Sequence, residues 1–214
     1  MPRTFEATSQ CKTGKRCRRC HAPRELCYCA LLPEVHTETR ISIVVHRNEL
    51  DRATATANTA HICLPNSRVF PFGLAGRDFE IYALLGTPGT ALCLFPEAHA
   101  EVLDAALAAA LPPPIHLIVP DGSWAQAKRI RRRTPALQSV RVVKLPHQGI
   151  SQYQLRYAQE AHQLCTLEAI ACALGLIEGG AVRESLLAAL QVQVERMKGK
   201  RPRFRLAEER KEPE

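Results

Sequence analysis

The chain has 214 residues, 29 Lys and Arg against 21 Asp and Glu, and a formal net charge of +8. A hydrophobic share of 46% supports one good core with at most a small appendage, and the basic excess points to RNA or DNA before an acidic protein. Aromatics at 5% exclude broad base-stacking platforms of the RRM or OB kind. No apolar run approaches the roughly 18 residues of a membrane span, and Met1 to Gln10 lack a signal-peptide core, so no membrane partner and a cytoplasmic, reducing setting are expected. There the nine cysteines argue against disulfides.

The first sixteen residues are polar and basic. Cys17-x-x-Cys20 and Cys27-x-Cys29 follow, two pairs within thirteen residues. Such pairs suit tetrahedral Zn²⁺, because a short loop aims each at one metal; a closed four-thiolate site is structural and carries no chemistry of its own. His21 is a less favoured fourth ligand, and free thiols on an arm are the alternative. Arg16, Arg18 and Arg19 offset the thiolate charge and are candidates to touch phosphates. Cys63, Cys93, Cys165 and Cys172 sit among apolar residues and read as small buried hydrophobes.

Arg40 to His46 is the first clear strand. His46-Arg47-Asn48-Glu49 and Ala57-Asn58-Thr59-Ala60 flank a Thr/Ala segment in which Asn58 or Thr59 either caps a helix or lines a site. Short strands are expected at Arg68–Phe70 and Ile81–Leu85, and a stronger one at Ala91–Phe95. The spacing of Ala98, Val102, Leu103, Ala106, Leu107 and Ala110 predicts one helix, stopped by Pro112-Pro113-Pro114. Leu117 to Val119 is an apolar run too short for a helix, the pattern of a strand buried on both faces of a parallel sheet. Pro120 and Gly122 end it. Ser123 fits an N-cap with Gln126 three residues on, a capping box. The turn thus sets Asp121 and the only tryptophan, Trp124, where ligands bind in open α/β sheets; on spacing alone, an ordinary β-to-α turn with Asp121 as a helix-flanking acid is the alternative. The following helix carries Lys128, Arg129, Arg131, Arg132 and Arg133. Cations suit a helix end, but this run exceeds that need and reads as a phosphate-tracking patch.

Val140–Leu145 is a further strand, and Tyr153–Ala161 reads as helical. Thr166 opens a helix with Glu168 in its first turn and Leu167, Ile170, Ala171 and Leu174 on one face. Gly179-Gly180 breaks the chain before a last helix from Val182 to Met197, and residues 199–214 form a basic, mixed tail expected to be mobile. Strands alternating with helices give an α/β class with a mainly parallel sheet flanked by helices. The division reads as residues 1–36 for the metal-binding arm, 37–198 for the main domain and 199–214 for the tail. Neither Gly-x-Gly-x-x-Gly nor a P-loop occurs.

Four motifs stand in one order: the cysteine cluster, Leu94-Phe95-Pro96, Asp121-Gly122-Ser123-Trp124, and Tyr153-Gln154-Leu155-Arg156 with Leu164-Cys165-Thr166-Leu167-Glu168-Ala169. Together they resemble the DTW-domain family, bacterial type, with Ser123 where the family has threonine and the hydroxyl cap kept. The resemblance implies tRNA-uridine aminocarboxypropyl transfer from S-adenosylmethionine (SAM) to N3 of a uridine, releasing methylthioadenosine. It also implies a SPOUT-like fold with a C-terminal trefoil knot, in a monomer or homodimer. SAM would lie against Leu94, Phe95, Pro96 and Glu97, against Gly122, Ser123 and Trp124, and against Leu164, Cys165, Thr166 and Leu167. Tyr153 and Arg156 would join them, Arg156 gripping the SAM carboxylate or a tRNA phosphate, or pairing with Glu160 on its own helix. Asp121 is the expected base for the uridine proton, its rival role a SAM ligand. Trp124 either stacks on a base or backs the turn. The other readings are a SPOUT-type RNA methyltransferase and a non-catalytic zinc-containing RNA-binding module.

Overall fold

A computed structural model describes residues 14–74, 89–146, 151–153, 155 and 164–198. Among the described residues six parallel strands form one sheet: β1 (Arg40–His46), β2 (Ser67–Phe72), β3 (Thr90–Leu94), β4 (Glu101–Val102), β5 (Ile115–Asp121) and β6 (Arg141–Lys144), in the order β2-β1-β5-β3-β6-β4. The helices are α1 (Thr56–Cys63), α2 (Ala105–Ala110), α3 (Trp124–Arg133), α4 (Pro135–Gln138), α5 (Thr166–Ile177) and α6 (Gly180–Lys198). β5 lies between β1 and β3, and all seven of its residues are buried, as expected for a strand covered on both faces.

Side-chain alternation splits the core in two. Ile41, Ile43, Val45, Leu92, Leu94, Leu117, Val119 and Val143 pack with α1, α2, α5 and α6. Val44, Cys93, Phe95 and Ile118 face the other way, against Ala127 and Ile130 of α3 and Ala136 and Leu137 of α4. Apolar positions expected on α5 are buried, and Leu186, Leu190 and Val194 do the same for α6. Gly179 separates the two helices at φ +107°, a conformation that favours glycine.

Two expectations fail locally. The stripe from Ala98 to Ala110 is not one helix. Glu101–Val102 pairs with β6, the Leu103 amide donates to the Lys144 carbonyl at 2.8 Å, and α2 starts only after Asp104, whose side chain caps the Leu107 amide at 2.8 Å. Ala98, Val102, Ala106 and Ala110 are consequently exposed. Asn58 and Thr59 do not cap α1 either, because the helix begins at Thr56 and places both inside it. The strand expected at Ile81–Leu85, the helix at Tyr153–Ala161 and the 199–214 tail lie outside the described residues, apart from Tyr153 and Leu155. Among the described residues no helix is long and apolar enough to cross a membrane.

Candidate functional site

The parallel sheet brings the carboxyl ends of β1, β3 and β5 to one edge, and most of the residues expected to hold the donor collect there. The β5–α3 turn is built as its sequence dictates. Ser123 and Gln126 exchange both capping bonds, the Ser123 amide donating to Gln126 Oε1 at 2.7 Å and the Gln126 amide to Ser123 Oγ at 3.4 Å. Gly122 has φ +155°, and a Cβ there would stand 2.9 Å from Gln126 Cβ and 3.3 Å from His46 Cβ, so the turn admits no side chain.

The turn straddles the sheet edge. Asp121 continues the Leu117–Val119 face and is 6% exposed. Its Oδ1 accepts a hydrogen bond from the Thr166 hydroxyl at the start of α5, 45 residues away. Trp124 emerges on the opposite face, 42% exposed, with its ring 6.2 Å from Phe95 at 44°. A groove of about 490 Å³ opens there, lined by Phe95, Pro96, Glu97, Ala98, His99, Trp124, Ala125 and Lys128. Leu94 turns inward to the core and is not part of this groove's lining. The expected cofactor residues therefore form two clusters, one around Asp121 and Thr166 and one around Phe95 and Trp124, joined through the turn.

The start of α5 is capped from within and tied to the head of α1. The Leu167 amide donates to Thr56 Oγ1 at 3.4 Å, and the Cys165 amide to Glu168 Oε2 at 2.7 Å. Cys165 is the N-cap of α5, and burial, then the Glu168 charge, pushes its thiol well above its usual range, which disfavours the thiolate. Tyr153 donates its hydroxyl to the Thr54 carbonyl, which brings the expected Tyr153 to the front of α1. Arg156 lies outside the described residues.

In sequence His46 is only the end of a strand. In the fold it is buried beside Gly122, and its Nδ1 accepts from the Asn48 amide at 3.3 Å. Burial, then Arg47 and Arg129, outweighs Glu49 and holds its pKa below 6.5, which keeps the ring neutral. Glu168, in sequence only a first-turn acid, is 3% exposed and accepts from three groups. Both signals depend on segments distant in sequence.

The helix-α3 cations divide. Lys128, Arg129, Arg132 and Arg133 are exposed, whereas Arg131 leans 3.8 Å from Glu97 with its side chain 13% exposed. Arg131 braces the groove loop and is poorly placed for a phosphate.

Cys17, Cys20, Cys27 and Cys29 bring their four Sγ atoms within 4.8 Å of one another, with Cys17–Cys29 at 3.7 Å and Cys20–Cys27 at 3.9 Å. A tetrahedron with metal–sulfur bonds of about 2.3 Å has edges of about 3.8 Å, so the thiols fit an ion of that size. The Arg19 amide points at Cys17 Sγ at 3.4 Å, and hydrogen bonding from Cys29 holds the Cys20 thiol down to about 5 against its burial. His21 turns instead toward Asp51, 3.8 Å away. Arg16, Arg18 and Arg19 are exposed on this knuckle. Tyr28, fully buried, docks it on the body: its hydroxyl meets Thr59 Oγ1 at 3.1 Å, and Thr59 donates to Gln193 Oε1 of α6 at 2.8 Å.

Residues 14–198 match the DTW domain. The chain is 31% identical over 187 residues to tRNA-uridine aminocarboxypropyltransferase 2 of Macaca fascicularis, covering 84% of this chain and 62% of the relative. It is 32% identical over 182 residues to the Mus musculus protein of that name, covering 82% and 61%. It is 31% identical over 172 residues to the Drosophila melanogaster one, covering 76% and 66%. The chain thus spans about three fifths of the length of the two mammalian relatives. No solved structure matches it.

Proposed function

The chain belongs to the DTW-domain family, and from that premise we propose that it transfers the 3-amino-3-carboxypropyl group of SAM to N3 of a tRNA uridine. The observation that carries this reading is the bond from Thr166 to Asp121, which joins the Asp-Gly-Ser-Trp turn to the Leu164–Ala169 motif at the carboxyl edge of the sheet.

The residues at that edge fit the donor. A groove of about 490 Å³ is within the usual range for a small-molecule site, Phe95 and Trp124 offer aromatic walls to a purine, and Glu97 and Lys128 offer groups for hydroxyls and a carboxylate. Gly122, Ser123 and Leu164 to Leu167 border the same edge on either side of Asp121. SAM supplies a γ-carbon activated by its sulfonium. Uridine N3 carries a proton and is a poor nucleophile until it leaves, and Asp121 is the carboxylate that takes it. The Thr166 hydroxyl, on a rigid helix start, fixes the Asp121 oxygen it bonds. Which carbon transfers is then a matter of how the donor is held against N3.

In the same reading the thiol cluster holds structural Zn²⁺, residues 37–198 carry the catalytic unit, and the six-stranded parallel sheet belongs to a SPOUT-like fold with a trefoil knot. The protein works in the cytoplasm as a monomer or homodimer, with Arg16, Arg18, Arg19 and the exposed α3 cations Lys128, Arg129, Arg132 and Arg133 on tRNA.

The test is to incubate the protein with SAM and unmodified tRNA, digest the RNA and run mass spectrometry on the nucleosides. A uridine heavier by an aminocarboxypropyl group, with methylthioadenosine released, is expected. A methylated nucleoside with S-adenosylhomocysteine would overturn the γ-carbon assignment, and no product with no SAM binding would reduce the chain to an RNA-binding module. Asp121→Asn is expected to lose turnover by about 10²-fold or more while keeping its tRNA affinity. Unchanged turnover would remove Asp121 as the base.

A further inference from the structure

Glu168 does more than its place in α5 requires. A capping box asks the third residue of a helix to bond one backbone amide, here that of Cys165, at 2.7 Å. The Glu168 carboxylate also accepts from the Ser151 hydroxyl on Oε2 at 2.6 Å and from the Gln152 amide on Oε1 at 2.6 Å. These two bonds reach a separate segment, and both oxygens are used with the residue 3% exposed. Ser151 passes the link on, because its Oγ accepts from the Tyr153 amide at 3.2 Å while its proton is given to Glu168. Tyr153 in turn anchors on the Thr54 carbonyl, and Gln191 of α6 donates to Gln152 Oε1 at 2.8 Å.

We infer that Glu168 is a positioning residue that clamps the Ser151–Tyr153 segment onto the first turn of α5, and so sets the wall of the donor site against Asp121. The inference rests on the proposed function, since it is that reading which gives Tyr153 and Leu164–Leu167 to the donor. Thr166 and Glu168 occupy one helical turn. Thr166 holds the carboxylate and Glu168 holds the strap, so one rigid element fixes both. Burial makes the clamp stiff: a carboxylate with three donors in a site closed to water has no alternative partner to exchange with.

The cap and the clamp can be separated. Ser151→Ala removes the hydroxyl relay and leaves the Cys165 amide capped. Glu168→Gln disturbs both. In the metal-loaded full chain, Ser151→Ala is expected to raise the SAM dissociation constant about five- to tenfold, as the loss of one buried bond does. Its tRNA affinity should stay near that of the parent, and its melting temperature should fall less than that of Glu168→Gln, because the helix cap is kept. Glu168→Gln is expected to raise the SAM constant at least as far, to lower the melting temperature, and to speed hydrogen exchange of the Gln152 amide. If both variants bind SAM as the parent does and Glu168→Gln only melts earlier, Glu168 is a helix cap and the inference is overturned. Should the parent itself fail to bind SAM, the functional reading has failed. The Gln152 amide then decides the clamp: unchanged exchange in Glu168→Gln removes it, and faster exchange upholds it.

Discussion

Gly122 has no room for a side chain, and that one residue sets how the turn is built. Alanine there would adopt an unfavourable φ and press against Gln126 and His46, at the same point where Gln126 completes the Ser123 cap. Gly122→Ala should cost about 1–3 kcal/mol, read as a lower midpoint in chemical denaturation, and should lose donor binding as the turn shifts. A midpoint equal to the parent's would show that the turn relaxes freely. His46, on the other side of the same contact, makes a pH prediction. Its folded pKa lies below 6.5 through burial and then Arg47 and Arg129. As pH falls through about 6.5 the unfolded chain takes a proton that the folded chain refuses, so the His46 contribution is present above that pH and is lost progressively below it. His61, also depressed by burial, acts in the same direction. The fall in melting temperature between pH 7 and 5 should be shallower in His46→Gln than in the parent; equal slopes would show that the ring titrates normally.

At the level of elements, α3 joins the groove to a cationic face. Lys128, Arg129, Arg132 and Arg133 point to solvent, and Arg131 turns back to Glu97. Replacing the four exposed cations by Ala should weaken tRNA binding and flatten its salt dependence, by about 0.7–0.9 in the slope of log K against log salt for each phosphate no longer neutralised. Arg131→Ala should leave the slope alone and loosen the groove loop. A slope that falls equally for Arg131 would contradict the ion pair. What could be read from sequence, and what could not, follows the range of each interaction. The buried run of β5 and the Ser123–Gln126 box were legible because both are local. The start of α2 was not: the stripe from Ala98 to Ala110 has helical spacing, but β6 draws Glu101–Val102 into the sheet and Asp104 caps the helix that follows. The motifs named the site residues, yet spacing could not tell that Asp121 meets Thr166, that Trp124 leaves by the other face, or that Glu168 reaches Ser151, because each depends on chain segments brought together by the fold.

On the scale of the whole molecule, the cysteine knuckle is fastened to the helices that support the site. Tyr28 stands between Cys27 and Cys29 and bonds Thr59 of α1, Thr59 bonds Gln193 of α6, and Thr56 at the head of α1 accepts from Leu167 beside Thr166. A metal at the four thiols would thus order a segment whose own buried core is Cys17, Cys20, Ala22 and Tyr28, with Ala53, Ile62, Val192 and Met197 of the main body packed against it. Binding of structural zinc is worth about 10–16 kcal/mol in finger peptides, far more than so small a core supplies. Metal analysis should find one Zn²⁺ per chain, and removing it with a chelator or by Cys20→Ser should lower the melting temperature by several degrees and weaken SAM binding as α1 loosens. Tyr28→Phe serves as the graded control. It keeps all four thiols and the buried ring and removes only the hydroxyl, so it should keep the metal and cost about 1 kcal/mol. If chelation leaves both the melting temperature and the SAM constant unchanged, the four thiols are not a structural centre. If instead Tyr28→Phe equals chelation in its effect, the docking bond, and not the metal, is what holds the knuckle to the helices.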